Sequence, residues 1–407
     1  MFALLILACN PPSPPPPPPP PPPADCFADA SWINNPIQPS EVATSESFCD
    51  FYQFSWQWFL AQMSPALSNP SERVFEELEL FVPNTQDQCA SESPTGRKSG
   101  ASILSPRVLK PQNLEDIQAD HNAVYDQNGN ILWYNIWYAK ENCQATDKGF
   151  VPGTLEIKAS WMVLDEEDTS SYLTIPAQIE SHEKEVQLGL IGFHMAIWTP
   201  NHPEMIWATW EHKSNSPLCD GSSEVRKWNL ASEKGSECLA QKKSAKECGF
   251  NIPSKFDSVP PLKSSPTEVC REFKYGNQTQ DAINGNDNNA NYSAIDQLND
   301  QLVGSKGLLS QLEEGNPMSV FSNYYMVGAL WTKGGADSGS LPVPHKGGEA
   351  DPTSLQRGSL ELTNSSMETF EQGSNSYVPN CFGCHNYNHE TPLGVSHIQQ
   401  DLQGSKQ

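Results

Sequence analysis

Basic residues are scarce in this sequence, and the scarcity narrows the range of partners. The 407 residues include 25 Lys and Arg against 49 Asp and Glu, which gives a net charge of −24 at pH 7. Nucleic acids and anionic lipid surfaces are bound by clustered Lys and Arg that neutralise phosphate. We therefore expect no nucleic-acid partner and no direct attraction to a membrane. A redox partner with a basic patch would suit an acidic surface, although acidity more often serves solubility.

Long apolar runs and familiar catalytic motifs are also missing. After the first few residues, no apolar stretch approaches the roughly 18 residues of a transmembrane helix. There is no H-E-x-x-H zinc motif, no G-x-S-x-G nucleophile motif and no phosphate-binding loop. Large side chains are plentiful, however. The 11 Trp, 16 Phe and 11 Tyr residues supply enough apolar surface to predict a folded globular body.

The N-terminus has the features of an exported chain. Residues 1–9 are apolar, and Ile6-Leu7-Ala8-Cys9 matches the end of a bacterial lipoprotein signal, with Cys9 as the lipidated residue. The basic region that export signals carry is missing, so a soluble periplasmic protein and an uninformative apolar start are alternatives. Twelve prolines follow between residues 11 and 23. As polyproline II they would span roughly 40 Å and hold the body away from a membrane, unless the run is a repeat expansion with no selected length.

The cysteines support export. Eleven are present, and eight remain when Cys9 and the pair at positions 381 and 384 are set aside. An even number in an exported chain predicts up to four disulfides, whose connectivity the sequence leaves open. These eight are Cys26, Cys49, Cys89, Cys143, Cys219, Cys238, Cys248 and Cys270.

Near the C-terminus, Cys381-Phe-Gly-Cys384-His385 forms a C-x-x-C-H motif, the attachment sequence of c-type haem. The two thiols add to the two vinyl groups of the porphyrin, and the adjacent histidine ligates the iron from the proximal side. A bare C-x-x-C could instead be a redox dithiol or half of a zinc site, but no second C-x-x-C completes a zinc site. We expect one covalent haem c, held by Cys381 and Cys384, with His385 as its proximal ligand. In this motif the chain resembles c-type cytochromes.

Two further stretches extend that resemblance. Phe51-Tyr-Gln-Phe-Ser-Trp56, Trp207-Ala-Thr-Trp-Glu-His212 and the single C-terminal motif together resemble a group of uncharacterised proteobacterial cytochrome c family proteins. The resemblance implies an exported protein with one haem and supplies no reaction.

Hydrophobic periodicity predicts an α+β, β-rich fold, with an antiparallel sheet, an N-terminal helix and a C-terminal haem-attachment segment. The sequence divides into a lipoprotein-type signal remnant (1–9), a proline-rich tether (10–25), a β-rich body (26–360) and a haem-binding segment packed on it (361–407). The predicted elements are an aromatic-faced helix over 49–64 capped by Ser45 or Ser47, a tight turn at 127–130, a strand over 154–164, a hairpin of 185–199 with 204–212, a helix over 292–303 and a strand over 321–332.

The sixth iron ligand is the open question. Only 22 residues follow His385 and none is Met, so the tail is not a complete small cytochrome domain and the body must enclose much of the haem. His389 is too close to His385 to reach the opposite face of the porphyrin. The candidate distal ligands are His397, His194, His212, His345 and Met367, the last of which is better explained by packing.

The distal side decides the function. A six-coordinate haem exchanges electrons with little rearrangement, so one-electron transfer is the leading prediction. An open iron beside an acid/base group from His194, Glu211 or His212 would instead make a peroxidase or oxygenase. A third alternative is a sensing or binding module whose haem reports redox state or gas.

Overall fold

The computed structural model describes residues 25–43, 47–81, 87–90, 122–165, 169–177, 185–254, 260–277, 287–335, 356–372, 380–385 and 392–403. The predicted lipidation site Cys9 and nearly all of the proline tether lie outside these residues, as do His345 and His389.

The described residues form an antiparallel sheet of eight strands, so the prediction of a sheet-rich α+β protein is confirmed. The strands follow the spatial order β1-β2-β3-β5-β6-β7-β8, and β4 pairs with β5. Their bounds are β1 Glu79–Leu80, β2 Trp133–Tyr138, β3 Leu155–Val163, β4 Thr174–Ala177, β5 Val186–Thr199, β6 His202–His212, β7 Tyr324–Thr332 and β8 Gln356–Gly358. The six α-helices of this part of the chain are α1 Ser31–Asn34, α2 Phe48–Met63, α3 Glu233–Ala240, α4 Asn288–Val303, α5 Cys381–Cys384 and α6 Gln399–Gln403.

The long elements agree with the sequence because their periodicity is strong. The strand predicted over 154–164 is present as β3, but the predicted alternation holds only over residues 155–158, because the residues from 159 onward are buried on both faces and a bulge follows Ser160. β5 and β6 form the predicted hairpin, with a turn of only Pro200 and Asn201 because Thr199 already pairs with His202. Helix α2 is capped by the Ser47 hydroxyl, which accepts a hydrogen bond from the backbone N–H of Asp50. The strand predicted over 321–332 begins only at residue 324, because residues 319–323 form a 3₁₀ turn.

The two faces of the sheet are covered by different parts of the chain. On one face, α2 packs its aromatic side chains against the strands: Phe59 stacks on Trp210 with ring centroids 4.6 Å apart, and Phe51 stacks on Trp331 at 4.0 Å. Helix α4 packs against α2 and β7. On the other face, Phe382 of α5 lies in a hydrophobic cluster with Trp207 of β6. The predicted aromatic stripe is therefore core, and the C-x-x-C-H motif lies on the opposite face.

Four disulfides join all eight cysteines that the sequence assigned to this role. They are Cys26–Cys49, Cys89–Cys143, Cys219–Cys270 and Cys238–Cys248. Such a number of disulfides is compatible with an exported, non-cytoplasmic protein. Among the described residues, no helix has the length and apolar character needed to cross a membrane.

Candidate functional site

The C-x-x-C-H motif is anchored by its apolar residue and by its helix cap. Phe382 is fully buried, and the side chain of Asn380 accepts a hydrogen bond from its backbone N–H at 3.0 Å. The Asn380 amide in turn donates to the Leu360 carbonyl at 2.7 Å. Of the cysteines in the described part of the chain, Cys381 and Cys384 alone are not in disulfides. Cys381 is half-buried and Cys384 is exposed, so two free thiols stand side by side at the surface of the body.

The imidazole of His385 is held by three groups. Its Nδ1–H donates to the Val395 carbonyl at 2.9 Å, which fixes the tautomer and leaves the lone pair on Nε2. Its ring lies against Trp207 with centroids 4.3 Å apart, and against His397 at 3.9 Å. Within the described residues, Nε2 has no hydrogen-bond partner. Burial, followed by the proximity of His397, lowers the pKa of His385 well below its usual range, so the ring is the neutral form that binds metals.

His397, a predicted distal ligand, lies beside His385 in this structure. The two rings are stacked with an interplanar angle of 18°, and the His397 Nε2–H donates to the Cys384 carbonyl at 3.2 Å. In this position the His397 ring lies against the face of the His385 imidazole, and His397 would have to leave this stack to serve as the distal ligand.

His194 lies close to the motif and has a partner that the sequence did not indicate. Its Nε2–H donates to the Glu368 carboxylate at 3.0 and 3.2 Å. Burial alone would raise the pKa of Glu368, but the charge and hydrogen bond of His194, the charge of Lys158 and the Asn364 N–H lower it. The ionised carboxylate also acts on the motif, because its charge contributes to raising the pKa of Cys381, after burial.

The segment that carries Glu368 packs closely on the sheet, and this brings the Glu368 carboxylate to His194. Residues 364–366 turn over β5 at Gly192, where a Cβ would collide with the side chains of Ser366, Ser160 and Asn364. The Tyr134 hydroxyl also donates to the Ser366 carbonyl at 2.8 Å. Glu368 is 174 residues from His194 along the chain, so no local pattern could join them.

Glu211 and His212, the other acid/base candidates, are bound elsewhere. Glu211 forms a buried ion pair with Arg271, and its carboxylate also accepts from the Ser365 hydroxyl at 2.7 Å. The strand register pairs His194 with Thr209 of β6, and no hydrogen bond joins His194 to Glu211 or His212. Met367 is fully buried in the main core, where it packs.

His212 is a satisfied core histidine. Its Nδ1 accepts from the Ser214 N–H at 3.1 Å, so Nε2 carries the proton and donates to the Ser171 carbonyl at 3.0 Å. The ring stacks on Tyr172 with centroids 4.1 Å apart. Burial lowers the pKa of His212 to about 4.

This depressed pKa predicts a pH dependence of stability. Between about pH 6.5 and pH 4 the unfolded chain binds a proton at His212 that the folded chain does not, so the free energy of unfolding falls as the pH falls. A shift of this size corresponds to at most about 3 kcal/mol. We expect His212→Gln to remove that dependence, and urea unfolding of both proteins from pH 7 to pH 4 would measure it.

The comparison between the wild type and His212→Gln separates the contribution of His212 from those of other titrating groups. Burial raises the pKa of Glu156 to about 7, and this shift has the opposite sign, with stability lost as the pH rises from about 4.5 to 7. It acts equally in both proteins and cancels in their difference. Parallel pH profiles of the two proteins would contradict the prediction.

Among the described residues, no group of three or more His, Cys, Asp or Glu side chains is arranged to hold a bare metal ion. Two free cysteines followed directly by a neutral imidazole whose Nε2 carries the lone pair are, however, the side chains that a c-type haem would need for its attachment and proximal ligation. Comparison of the chain with family models, curated proteins and solved structures finds no match. The site residues are therefore interpreted from their own chemistry.

Proposed function

We propose that this chain is an exported c-type cytochrome with one covalent haem, and that its function is one-electron transfer. The observation that carries the proposal is the set of contacts made by the imidazole of His385. One nitrogen is fixed by the Val395 carbonyl, both rings in contact with the imidazole are aromatic, and the residue directly follows the second of two free cysteines. A carbonyl that holds Nδ1–H is the usual outer partner of a metal-binding histidine.

The motif residues would divide the work as follows. Each thiol would add across one vinyl group, with a carbon–sulfur bond formed and the thiol proton transferred to the other vinyl carbon. His385 would bind the iron through Nε2, while the hydrogen bond from its Nδ1–H to the Val395 carbonyl holds the ring in place. Bound haem supplies a reversible one-electron couple.

A redox dithiol is the weaker interpretation of Cys381 and Cys384. The attacking thiol of a C-x-x-C oxidoreductase has a lowered pKa, because the thiolate is the nucleophile. Here burial, with the nearby charge of Glu368, raises the pKa of Cys381. A raised pKa at Cys381 is the opposite of what the attacking thiol of a redox dithiol needs.

Export and the type of partner belong to the same proposal. The four disulfides and the lipoprotein-like residues 6–9 favour a periplasmic or outer-membrane location, with Cys9 as the lipid anchor. Cys26 lies in the core on the helix-covered face, where its backbone N–H donates to Gln297 of α4. An N-terminal tether attached on this face would leave the opposite face of the sheet, which carries the C-x-x-C-H motif, accessible to a soluble redox partner with a basic patch.

A haem enzyme is the second candidate, and the His194–Glu368 pair is the observation that favours it. A histidine oriented by an ionised carboxylate is an acid/base pair of the kind that peroxide chemistry uses, and this one lies close enough to His385 for His194 to contribute to lowering the pKa of His385. The same His194 is also a candidate distal ligand, with Glu368 as the carboxylate that orients it.

The absorption spectrum of the protein, produced in a host with a haem-attachment system, tests the proposal. We expect a pyridine haemochrome spectrum of the c type, one haem per chain, and a reduced spectrum that carbon monoxide leaves unchanged. A chain without covalent haem would overturn the proposal as a whole. A covalent haem that binds carbon monoxide would contradict the electron-transfer proposal and favour a haem enzyme instead.

A further inference from the structure

The two aromatic neighbours of His385 come from distant parts of the chain. Trp207 lies in the middle of β6, and its indole ring is tilted by 37° from the imidazole at a centroid distance of 4.3 Å. His397 lies after the motif, and its ring is tilted by 18° at 3.9 Å. Both distances are those of stacked rings in van der Waals contact.

The two rings lie on opposite faces of the imidazole. The His397 ring is nearly parallel to the imidazole and the Trp207 ring is tilted, but both centroids lie about 4 Å from its centre. Two rings this close to the imidazole would collide with each other if they shared one of its faces, because atoms of neighbouring rings cannot approach much closer than about 3.5 Å. With Val395 at Nδ1, the protein therefore contacts His385 on both faces and at one nitrogen. These three contacts leave uncovered the edge of the His385 imidazole that carries Nε2.

Each neighbour is itself held in place. The Trp207 indole N–H donates to the Glu204 carbonyl at 3.0 Å, and the side chain is 7% exposed, between Ala196 of β5 and Leu330 of β7. The His397 Nε2–H donates to the Cys384 carbonyl, within the motif. Trp207 is thus fixed by the sheet, and His397 is fixed by the segment that it packs upon.

We propose that Trp207 and His397 are positioning residues that clamp the imidazole of His385, and that His397 is therefore not the distal ligand. This inference rests on the proposed function. The clamp fixes the rotation of the ring about the bond from Nε2 to the iron, and that rotation sets the overlap between the imidazole π orbitals and the d orbitals of the iron. Ring orientation is one of the means by which a protein tunes a bound metal.

Paired substitutions separate clamping from ligation. His397→Phe keeps a flat ring beside His385 but cannot bind iron, whereas His397→Ala removes both functions. Trp207→Phe keeps a ring and Trp207→Ala removes it. His397 is exposed, so its replacement does not disturb the core, and the two phenylalanine variants guard against a failure of Trp207→Ala to fold. The readouts are covalent haem staining and the electron paramagnetic resonance spectrum of the oxidised protein.

We expect all four variants to retain covalent haem and the wild-type spin state. The alanine variants should show shifted or broadened resonance lines, and the phenylalanine variants should resemble the wild type. A change of spin state in His397→Phe, or alanine variants with unaltered lines, would overturn the clamp while leaving the haem proposal intact. A wild-type protein without covalent haem overturns both, so the two failures are distinguishable.

Discussion

Replacing Cys381 and Cys384 together by alanine should abolish covalent haem while the body still folds. Both thiols are free, and in the proposed cytochrome each would supply one thioether bond, so no covalent attachment would be left in the double variant. The fold should persist because α5 is held by Phe382 and Asn380, which are unchanged. Haem staining on a denaturing gel measures the loss, and far-ultraviolet circular dichroism measures the fold.

The loop disulfide Cys238–Cys248 provides a matched control. Its cysteines are 10 residues apart in the sequence, Cys238 lies in α3, and neither has a part in the motif. Cys238→Ser with Cys248→Ser should retain full haem staining and lose about 2 to 3 kcal/mol of stability, the usual contribution of a short disulfide loop. Staining that survives in the Cys381/Cys384 double variant, or disappears in the control, would remove the basis of the attachment site.

The second large effect is expected at Arg271, whose guanidinium is paired with Glu211 in the interior. The two side chains are 2% and 1% exposed, and Arg271 also donates to the Thr363 carbonyl at 3.1 Å. Arg271→Met leaves the Glu211 carboxylate buried without its counter-charge, which typically costs about 3 to 5 kcal/mol. Urea unfolding monitored by Trp fluorescence would measure the shift of the midpoint.

An exposed ion pair of the same chain is the control for Arg271. Lys274 and Asp296 are 3.2 Å apart, with side chains 43% and 51% exposed. Solvent screens such a pair, so Lys274→Met should cost less than about 1 kcal/mol. Similar losses in the two variants would show that burial of the Arg271–Glu211 pair is not what makes it important.

The Arg271–Glu211 pair also bears on the site. Glu211 binds Ser365, and Ser365 lies three residues before Glu368, so the pair helps to hold this segment over β5 and β6. The sequence had offered Glu211 as an acid/base group, and the structure gives it a role in holding the segment. A buried carboxylate with an arginine counter-charge is poorly suited to take up and release protons.

Local patterns in the sequence were sufficient to predict the main strands and the long N-terminal helix. The alternation in β3, the apolar run of β5 and the 3.6-residue spacing in α2 each indicate a structure that a few neighbouring residues determine. The even number of cysteines predicted four disulfides, but their pairing required the fold. It depends on which cysteines come within about 6 Å between their Cα atoms.

The sequence by itself determined the C-x-x-C-H motif, because the proposed attachment of haem requires two thiols and a histidine at fixed spacing within five consecutive residues. Only the tertiary structure decided what surrounds the motif. It placed Val395, 10 residues further along the chain, against His385. Through the packing of one sheet face it also placed Glu368 against His194, 174 residues away, and Trp207 against His385, 178 residues away. Contacts at such separations follow from the register of the whole sheet and leave no periodic signal in the sequence.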